Sequence, residues 1–184
     1  MNQPILSDIQ DLRTRARKNI EDGAITTSYR GDRPEIIRLF NEALATEIVC
    51  TLRYKRHYFT AIGLAAKSIA AEFAEHAKEE ADHADLLAAR IVQLGGEPNF
   101  NPEGLAERSH AEYKEGSTIT EMIREDLIAE RIAIESYSEV IRYIGTSDPT
   151  SRRVLESILA SEEEHAEDLS SLLKHLVNES APAI

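Results

Sequence analysis

Two Glu-x-x-His segments lie within long predicted helices, and their register limits the folds open to this chain. Glu80 and His83 form the first, and Glu162 and His165 form the second. Residues three apart in a helix project from the same face, so each pair is a two-ligand chelate on one side of its helix. One such motif is common by chance in an acidic helical protein. Whether a motif is a metal site or a chance match is therefore tested by its position relative to the apolar residues of the same helix.

Both motifs continue the apolar stripe of the helix that carries them. In steps of three and four, the stripes are Ile69, Phe73, His76, Glu80, His83, Leu87, Ile91 and Leu94, and Leu155, Ile158, Glu162, His165, Leu169, Leu172 and Leu176. Two further stripes include one glutamate each: Phe40, Leu44, Glu47, Thr51, Tyr54 and Tyr58, and Ile123, Leu127, Glu130, Ile134, Tyr137, Ile141 and Ile144. This periodicity predicts four amphipathic helices that bury these faces.

Helix start and stop signals delimit these elements. Asp32, Thr118 and Asp148 are predicted N-caps, with proline or glutamate in the first turn that follows, and Gly95-Gly96 is a stop signal. The predicted long helices run from Asp32 to about Thr60, from about Ala65 to Leu94, from Thr118 to Gly145, and from Asp148 to about Val177. Shorter helices are predicted from Ser7 to about Glu21 and around Glu103 to Tyr113.

The element order predicts an all-α four-helix bundle. Residues 97–117 are too long for a hairpin and form a crossover that lets the second and third long helices run parallel. The expected organisation is an N-terminal extension (1–32), the bundle (33–178) and a tail (179–184). Each half of the bundle is a pair of helices, one with an inward glutamate and the next with a Glu-x-x-His. The separation is 33 residues from Glu47 to Glu80 and 32 residues from Glu130 to Glu162. Helical hairpins of that spacing bring the paired sites to the same height.

Composition indicates which partners and which cellular compartment this chain is suited to. The 184 residues have a formal net charge of −12, which disfavours general attraction to nucleic acid or to an anionic membrane. No apolar run is long enough for a membrane span, and no secretory signal pattern begins the chain. The single cysteine, Cys50, excludes an intramolecular disulfide, so we expect a cytoplasmic protein. The N-terminal cluster of Arg13, Arg15, Arg17 and Lys18 is either a solvated helix face or a DNA contact.

Four carboxylates and two imidazoles are thus predicted to meet at mid-bundle among apolar side chains. Unpaired buried carboxylates cost several kcal/mol each. A buried ion-pair network is disfavoured because the inward stripes contain no lysine or arginine. Two divalent cations would neutralise the four glutamates, and this oxygen-rich donor set suits iron or manganese, with zinc as a redox-inert substitute.

The ligands divide naturally between two metal ions. Glu47 with His83 and Glu130 with His165 would be the terminal pairs, and Glu80 and Glu162 would bridge. His76, one turn before Glu80, is either a supporting or core histidine or a third nitrogen ligand. Tyr54 and Tyr137, each seven residues from an inward glutamate, are either hydrogen-bond partners of a ligand or plain core tyrosines.

Several segments resemble bacterioferritin and, more broadly, the ferritin-like superfamily. They are Arg30-Gly-Asp-Arg, Leu39-Phe-Asn-Glu, Glu80-Ala-Asp-His-Ala-Asp, Ala89-Arg-Ile-Val-Gln-Leu-Gly-Gly-Glu-Pro-Asn, Asp126-Leu-Ile-Ala-Glu and Glu162-Glu-Glu-His. The resemblance implies a ferroxidase centre of Glu47, Glu80, His83, Glu130, Glu162 and His165, with Tyr54 as the tyrosine near the site. It also implies that Fe(II) is oxidised there by O2 or H2O2 and stored as ferric mineral in a homo-oligomeric shell.

Three departures from bacterioferritin refine these expectations. Ala81 stands where the family carries its haem-ligating methionine, so we predict no haem. The chain has no predicted fifth helix after residue 178, and it has an N-terminal extension and a longer crossover. These features resemble the Dps-like mini-ferritins with a bacterioferritin-type site and favour 12 subunits over 24. The alternatives are a peroxidase like rubrerythrin or manganese catalase, and a DNA-protecting protein like Dps.

Overall fold

The computed structural model describes residues 6–61 and 66–179. The helices are α1 (Ile9–Ala16), a short 3-10 helix (Ile20–Asp22), α2 (Arg33–Thr60), α3 (Ala66–Gln93), α4 (Leu105–Arg108), α5 (Ile119–Ile144) and α6 (Pro149–Glu179). All regular structure in these two ranges is helical, which confirms the all-α prediction. The predicted helix start at Ala65 and nearly all of the predicted tail, residues 180–184, lie outside the described residues.

The predicted caps form. The Asp32 carboxylate accepts a hydrogen bond from the backbone N–H of Glu35 at 3.3 Å, and Thr118 accepts one from Glu121 at 3.2 Å. Asp148 accepts the backbone N–H of Ser151 at 2.9 Å. Each cap satisfies a backbone donor that the first helical turn leaves unpaired.

Two predicted short helices are shorter than expected. The first ends at Ala16, and only a 3-10 turn follows, which Asn19 begins in a left-handed conformation with φ of 50°. In the crossover, α4 has one turn and then Ser109 becomes extended. Polar contacts hold the extended part on α2, since Thr46 accepts the N–H of His110 at 2.9 Å and Arg53 donates to the Glu112 carbonyl at 3.0 Å. Side-chain tethering thus replaces helical structure there.

The four long helices form two antiparallel hairpins, α2 with α3 and α5 with α6. Arg33 at the start of α2 bonds the carbonyl of Leu94 after α3, and Tyr54 near the end of α2 contacts Phe73 near the start of α3. Between hairpins, α2 is antiparallel to α5, because Tyr54 bonds Glu130 and Tyr137 bonds Glu47. Helices α3 and α5 therefore run parallel, as the crossover predicts.

Two large apolar clusters fill the bundle interior in the described part of the chain, and a small third one joins Cys50, Ala111 and Ala129. One large cluster includes Phe40, Leu44, Leu87, Ile91, Leu155 and Ile158, and the other includes Tyr54, Phe73, Ile123 and Leu169. On each of the four helices, the inward glutamates and histidines lie in the sequence between the residues of one large cluster and those of the other. Apolar packing on both sides therefore fixes the height and rotation of a charged layer.

One predicted stripe position is wrong. Tyr58 is 41% exposed and packs on Phe59 at the surface. The stripe continues instead at His57, three residues after Tyr54, and His57 is fully buried. Its ring contacts Asp126 through Nδ1 and the Glu115 carbonyl through Nε2, both at 2.8 Å. A step of three, rather than four, keeps the last turn of α2 in contact with the crossover.

Helix α1 has no buried residue. The basic residues Arg13, Arg17 and Lys18 are exposed, and so are the apolar side chains of Leu6 and Ile9. Across the described residues, no helix combines the length and apolar character needed to span a bilayer.

Candidate metal centre

The six residues that the sequence singled out meet in one layer of the bundle. Their potential ligand atoms form two groups, each with all atoms within 4.8 Å of one another. The first group is Glu47, Glu80, His83 and Glu162, and the second is Glu80, Glu130, Glu162 and His165. Glu80 and Glu162 belong to both groups. Two such overlapping groups could hold two neighbouring metal ions that share Glu80 and Glu162.

Helix geometry explains how the six residues converge. Helices α2 and α5 each contribute one glutamate, and α3 and α6 each contribute a Glu-x-x-His. Because Glu80 and His83 are three residues apart, both face the bundle axis, and the same holds for Glu162 and His165. All six side chains are buried, and His83, at 7% exposed, is the most accessible of them.

Seven buried atoms of the layer form no hydrogen bond within the described part of the chain. They are one carboxylate oxygen each of Glu47, Glu80 and Glu130, both oxygens of Glu162, and Nδ1 of His83 and His165. Buried polar atoms are nearly always hydrogen-bonded, because an unpaired one costs about 1–3 kcal/mol. Seven in one layer therefore indicate a partner that the protein itself does not supply. Divalent cations fit, since all seven atoms can donate lone pairs.

Both histidine rings turn Nδ1 towards the carboxylates. Nδ1 of His83 lies 3.1 Å from Glu162 Oε1 and 3.5 Å from Glu47 Oε2. Nδ1 of His165 lies 3.2 Å from Glu80 Oε1, 3.5 Å from Glu162 Oε2 and 3.9 Å from Glu130 Oε2. Each imidazole therefore presents one nitrogen to its own group of carboxylates.

The pKa values of the layer reflect its crowded negative charge when no cation is bound. Burial and the neighbouring Glu47 raise the pKa of Glu80 to about 8. Burial and the charges of Glu80 and Glu162 raise the pKa of Glu130 well above its usual range. Burial opposes protonation of the rings, but the adjacent carboxylates outweigh it and raise the pKa of His83 to about 10 and of His165 to about 11. At neutral pH, protons thus occupy a site suited to cations.

Two tyrosines hold the outer glutamates. The hydroxyl of Tyr54 donates to Glu130, and that of Tyr137 donates to Glu47. Both tyrosines are fully buried. Each hydrogen bond satisfies one oxygen of its glutamate, and the other oxygen is among the seven unpaired atoms. The tyrosines therefore orient the free oxygen of each carboxylate towards the centre.

The structure adds a contact that sequence reasoning missed. Glu79 lies 2.7 Å from Nε2 of His165, and its side chain is 43% exposed. A carboxylate on the outer ring nitrogen fixes the hydrogen there and leaves Nδ1 free to bind a cation. In the sequence, Glu79 is indistinguishable from other solvated acidic residues of α3, and no pattern marks it.

His76 lies against the layer from the side of the second apolar cluster. Its ring stacks on His165 with a centroid distance of 4.0 Å, and its Nδ1 lies 3.3 Å from the Tyr54 hydroxyl. Burial and the charge of His165 lower the pKa of His76 to about 3, so the ring is neutral. It does not belong to either of the two groups above.

The two deeply buried arginines pair outside the layer. Arg53 donates to Asp126 at 2.7 Å, and Arg90 donates to Asp148 at 2.8 Å. Their charges are thus engaged elsewhere, so only the imidazoles of His83 and His165 and cations from solution can offset the charge of the four glutamates.

The sequence model of the ferritin family, described as a ferritin-like domain, matches residues 37–178. This range contains all six residues of the layer. The chain belongs to the ferritin-like domain family. The four-helix bundle with one long crossover is accordingly a ferritin-like bundle.

Relatives within the ferritin-like family include iron proteins. Bacterioferritin BfrA of Mycobacterium tuberculosis is 29% identical over 146 residues, which are 79% of this chain and 87% of the relative. The bacterioferritin-related protein of Bacteroides fragilis, described as a dodecameric thioferritin, matches with a TM-score of 0.78 and 30% identity over 82% of this chain and 90% of its own. Rhodobacter capsulatus bacterioferritin, solved with a metal-free dinuclear site and heme iron, has a TM-score of 0.70 and 27% identity, covering 81% and 89%.

Proposed function

We propose that the layer is a dinuclear ferroxidase centre, at which Fe(II) is the substrate, and that this ferritin-like protein oxidises and stores iron. The observation that carries the proposal is the convergence, in two overlapping groups, of seven buried atoms that form no hydrogen bond and that can all bind a cation once the two histidines release their protons. Glu47 with His83 would hold one iron, Glu130 with His165 the other, and Glu80 and Glu162 would bridge them. Manganese or zinc could occupy the same donors.

The redox step needs two one-electron donors close together. Each Fe(II) gives up one electron, so a pair supplies two electrons. Together with two protons, these reduce O2 to H2O2, or H2O2 to two water molecules. The residues of this chain hold the two substrate ions side by side. Tyr54, Tyr137 and Glu79 fix the orientation of the ligands, so little rearrangement accompanies binding.

The test compares neighbouring glutamates of α6. Glu162→Gln removes a shared ligand, whereas Glu163→Gln changes the same charge at an exposed position. At two Fe(II) per chain, the initial oxidation rate should fall about tenfold or more in Glu162→Gln, because losing a residue that only orients a metal ligand already costs about 10- to 100-fold. Glu163→Gln should match the wild type. Equal rates in all three proteins would disprove the assignment of the centre.

Storage requires a shell, for which we propose twelve chains. The dodecameric relative from B. fragilis and the N-terminal extension favour this number over twenty-four. Twelve chains of 20.6 kDa have a mass of about 250 kDa, and twenty-four have about 490 kDa. Light scattering separates these masses, and growth of an electron-dense core after addition of Fe(II) and oxidant would report storage.

The absence of haem remains a prediction. Ala81 cannot ligate haem iron, whereas the R. capsulatus relative contains heme iron. Protein produced with added haem should show no Soret band that survives gel filtration. A stoichiometric Soret band would contradict the prediction and point to a different ligand.

A further inference from the structure

A second metal-binding arrangement lies beside the dinuclear layer. Its members are Glu72 and His76 on α3 and Asp168 on α6, whose potential ligand atoms lie within 4.8 Å of one another. Glu72 and His76 are four residues apart and so share a helix face, and Asp168 follows His165 by three residues on its helix. The group therefore faces the same inter-helix gap as the layer, one turn away.

The orientation of His76 is fixed by its neighbours. With Glu130 ionised, as when the layer holds cations, the Tyr54 hydroxyl donates its single hydrogen to that carboxylate, so it can only accept from His76. Nδ1 of His76, 3.3 Å from that oxygen, therefore carries the ring hydrogen. Nε2 of the neutral ring is then a lone-pair acceptor, and it lies 3.5 Å from Oε1 of Glu72 without a hydrogen bond between them.

Two acceptors, Nε2 of His76 and Oε1 of Glu72, thus face each other, and the His76 side chain is only 2% exposed. This contact is repulsive unless a positive group lies between the two atoms. The third member, Asp168, adds another negative charge. Burial and the charges of Asp168 and Glu75 raise the pKa of Glu72, in accord with a local deficit of cations. An imidazole nitrogen with two carboxylates is a donor set for divalent transition metals.

We propose that Glu72, His76 and Asp168 bind a third divalent transition-metal ion, separate from the dinuclear centre. The site is graded in exposure, since Asp168 is exposed, Glu72 is half-buried and His76 is buried. His76 also stacks directly on His165 of the layer. The third ion therefore lies between solvent and the dinuclear centre. If the proposed function holds, this site receives Fe(II) before the dinuclear centre does.

The test measures binding of Zn(II), which needs no redox step. Metal-free full-length protein is titrated by calorimetry, and bound zinc is counted by equilibrium dialysis. Wild type should bind three Zn(II) per chain, and the double variant Glu72→Gln/Asp168→Asn should bind two. The matched control Glu75→Gln/Glu167→Gln removes two exposed acids from the same helices and should still bind three. Anomalous scattering from zinc-soaked crystals should show the third ion beside His76 in wild type only.

Each other result overturns the third site. Two Zn(II) in wild type would mean that the group binds nothing, and three in the double variant would place the extra ion elsewhere. Loss of all bound zinc in the double variant would assign these residues to support of the dinuclear centre. Failure of the proposed function is separable, because a chain that binds three Zn(II) but oxidises no Fe(II) keeps the third site and refutes only the ferroxidase.

Discussion

Replacement of Glu80 by glutamine should have opposite effects on the metal-free and the metal-loaded protein. The pKa of Glu80 is about 8 in the folded chain, against an ordinary value of 4.5. Between these two pH values the folded chain holds a proton that the unfolded chain has released. Stability is therefore lost as the pH rises from 4.5 to 8, and the loss levels off above the folded pKa.

The size of the effect follows from this shift. At pH 7, protonating a carboxyl of ordinary pKa costs ~3 kcal/mol, and at pH 5 the cost is ~1 kcal/mol. Glutamine has nearly the shape of the protonated acid and needs no proton. Metal-free Glu80→Gln should therefore be more stable than wild type by about these amounts. With Zn(II) at one hundred times its dissociation constant, wild type should gain ~2.7 kcal/mol, and the variant should gain much less because a shared ligand is lost.

The assay is urea unfolding at fixed protein concentration, at pH 5, 7 and 8, with chelator or with Zn(II). Asp85→Asn, an exposed substitution on the same helix, is the control and should follow wild type in every condition. A metal-free Glu80→Gln protein that is less stable than wild type at pH 7 would refute the assignment of Glu80 as a protonated, destabilising acid. A stability difference that stays constant between pH 5 and pH 8 would refute it equally.

Three other predictions concern the same helices and the N-terminal segment. First, because the pKa values of Glu80, His83 and His165 all lie above 7, loading both metal positions at pH 7 should release at least three protons per chain, and affinity should rise with pH. Calorimetry in buffers of different ionisation enthalpy measures this number, and a value near zero would contradict the protonated layer. Second, Tyr137→Phe should destabilise the protein by about 1–3 kcal/mol and weaken Zn(II) binding by about 10- to 100-fold, because Glu47 loses its buried donor. The exposed Tyr143→Phe is the matched control in denaturant and metal titrations. Third, the DNA-binding alternative requires salt-dependent DNA retention that disappears when residues 1–20 are deleted, and a full-length protein that shows no retention at low salt would exclude it.

The apolar register made much of the fold and of the candidate site predictable. Glu80, His83, Glu162 and His165 replace apolar residues at stripe positions, and burying the stripes necessarily buries these side chains. The caps at Asp32, Thr118 and Asp148 are local hydrogen bonds that depend on a few consecutive residues. The prediction that Tyr58 is buried is wrong because steps of three and of four residues after Tyr54 both fit a helical period of 3.6. Only the contacts of the last turn decide between Tyr58 and His57.

By itself, the sequence determined which face of each long helix is buried and which six ligand-type side chains lie on those faces. The tertiary structure decided what each of them meets. Glu79 on His165, the tyrosine hydroxyls on Glu47 and Glu130, and Nε2 of His76 facing Glu72 all depend on contacts between different helices or on the ring orientation those contacts impose. Periodicity within one helix specifies rotation about its own axis. Relative height and rotation between helices are set by packing of the two large apolar clusters, which no single helix encodes.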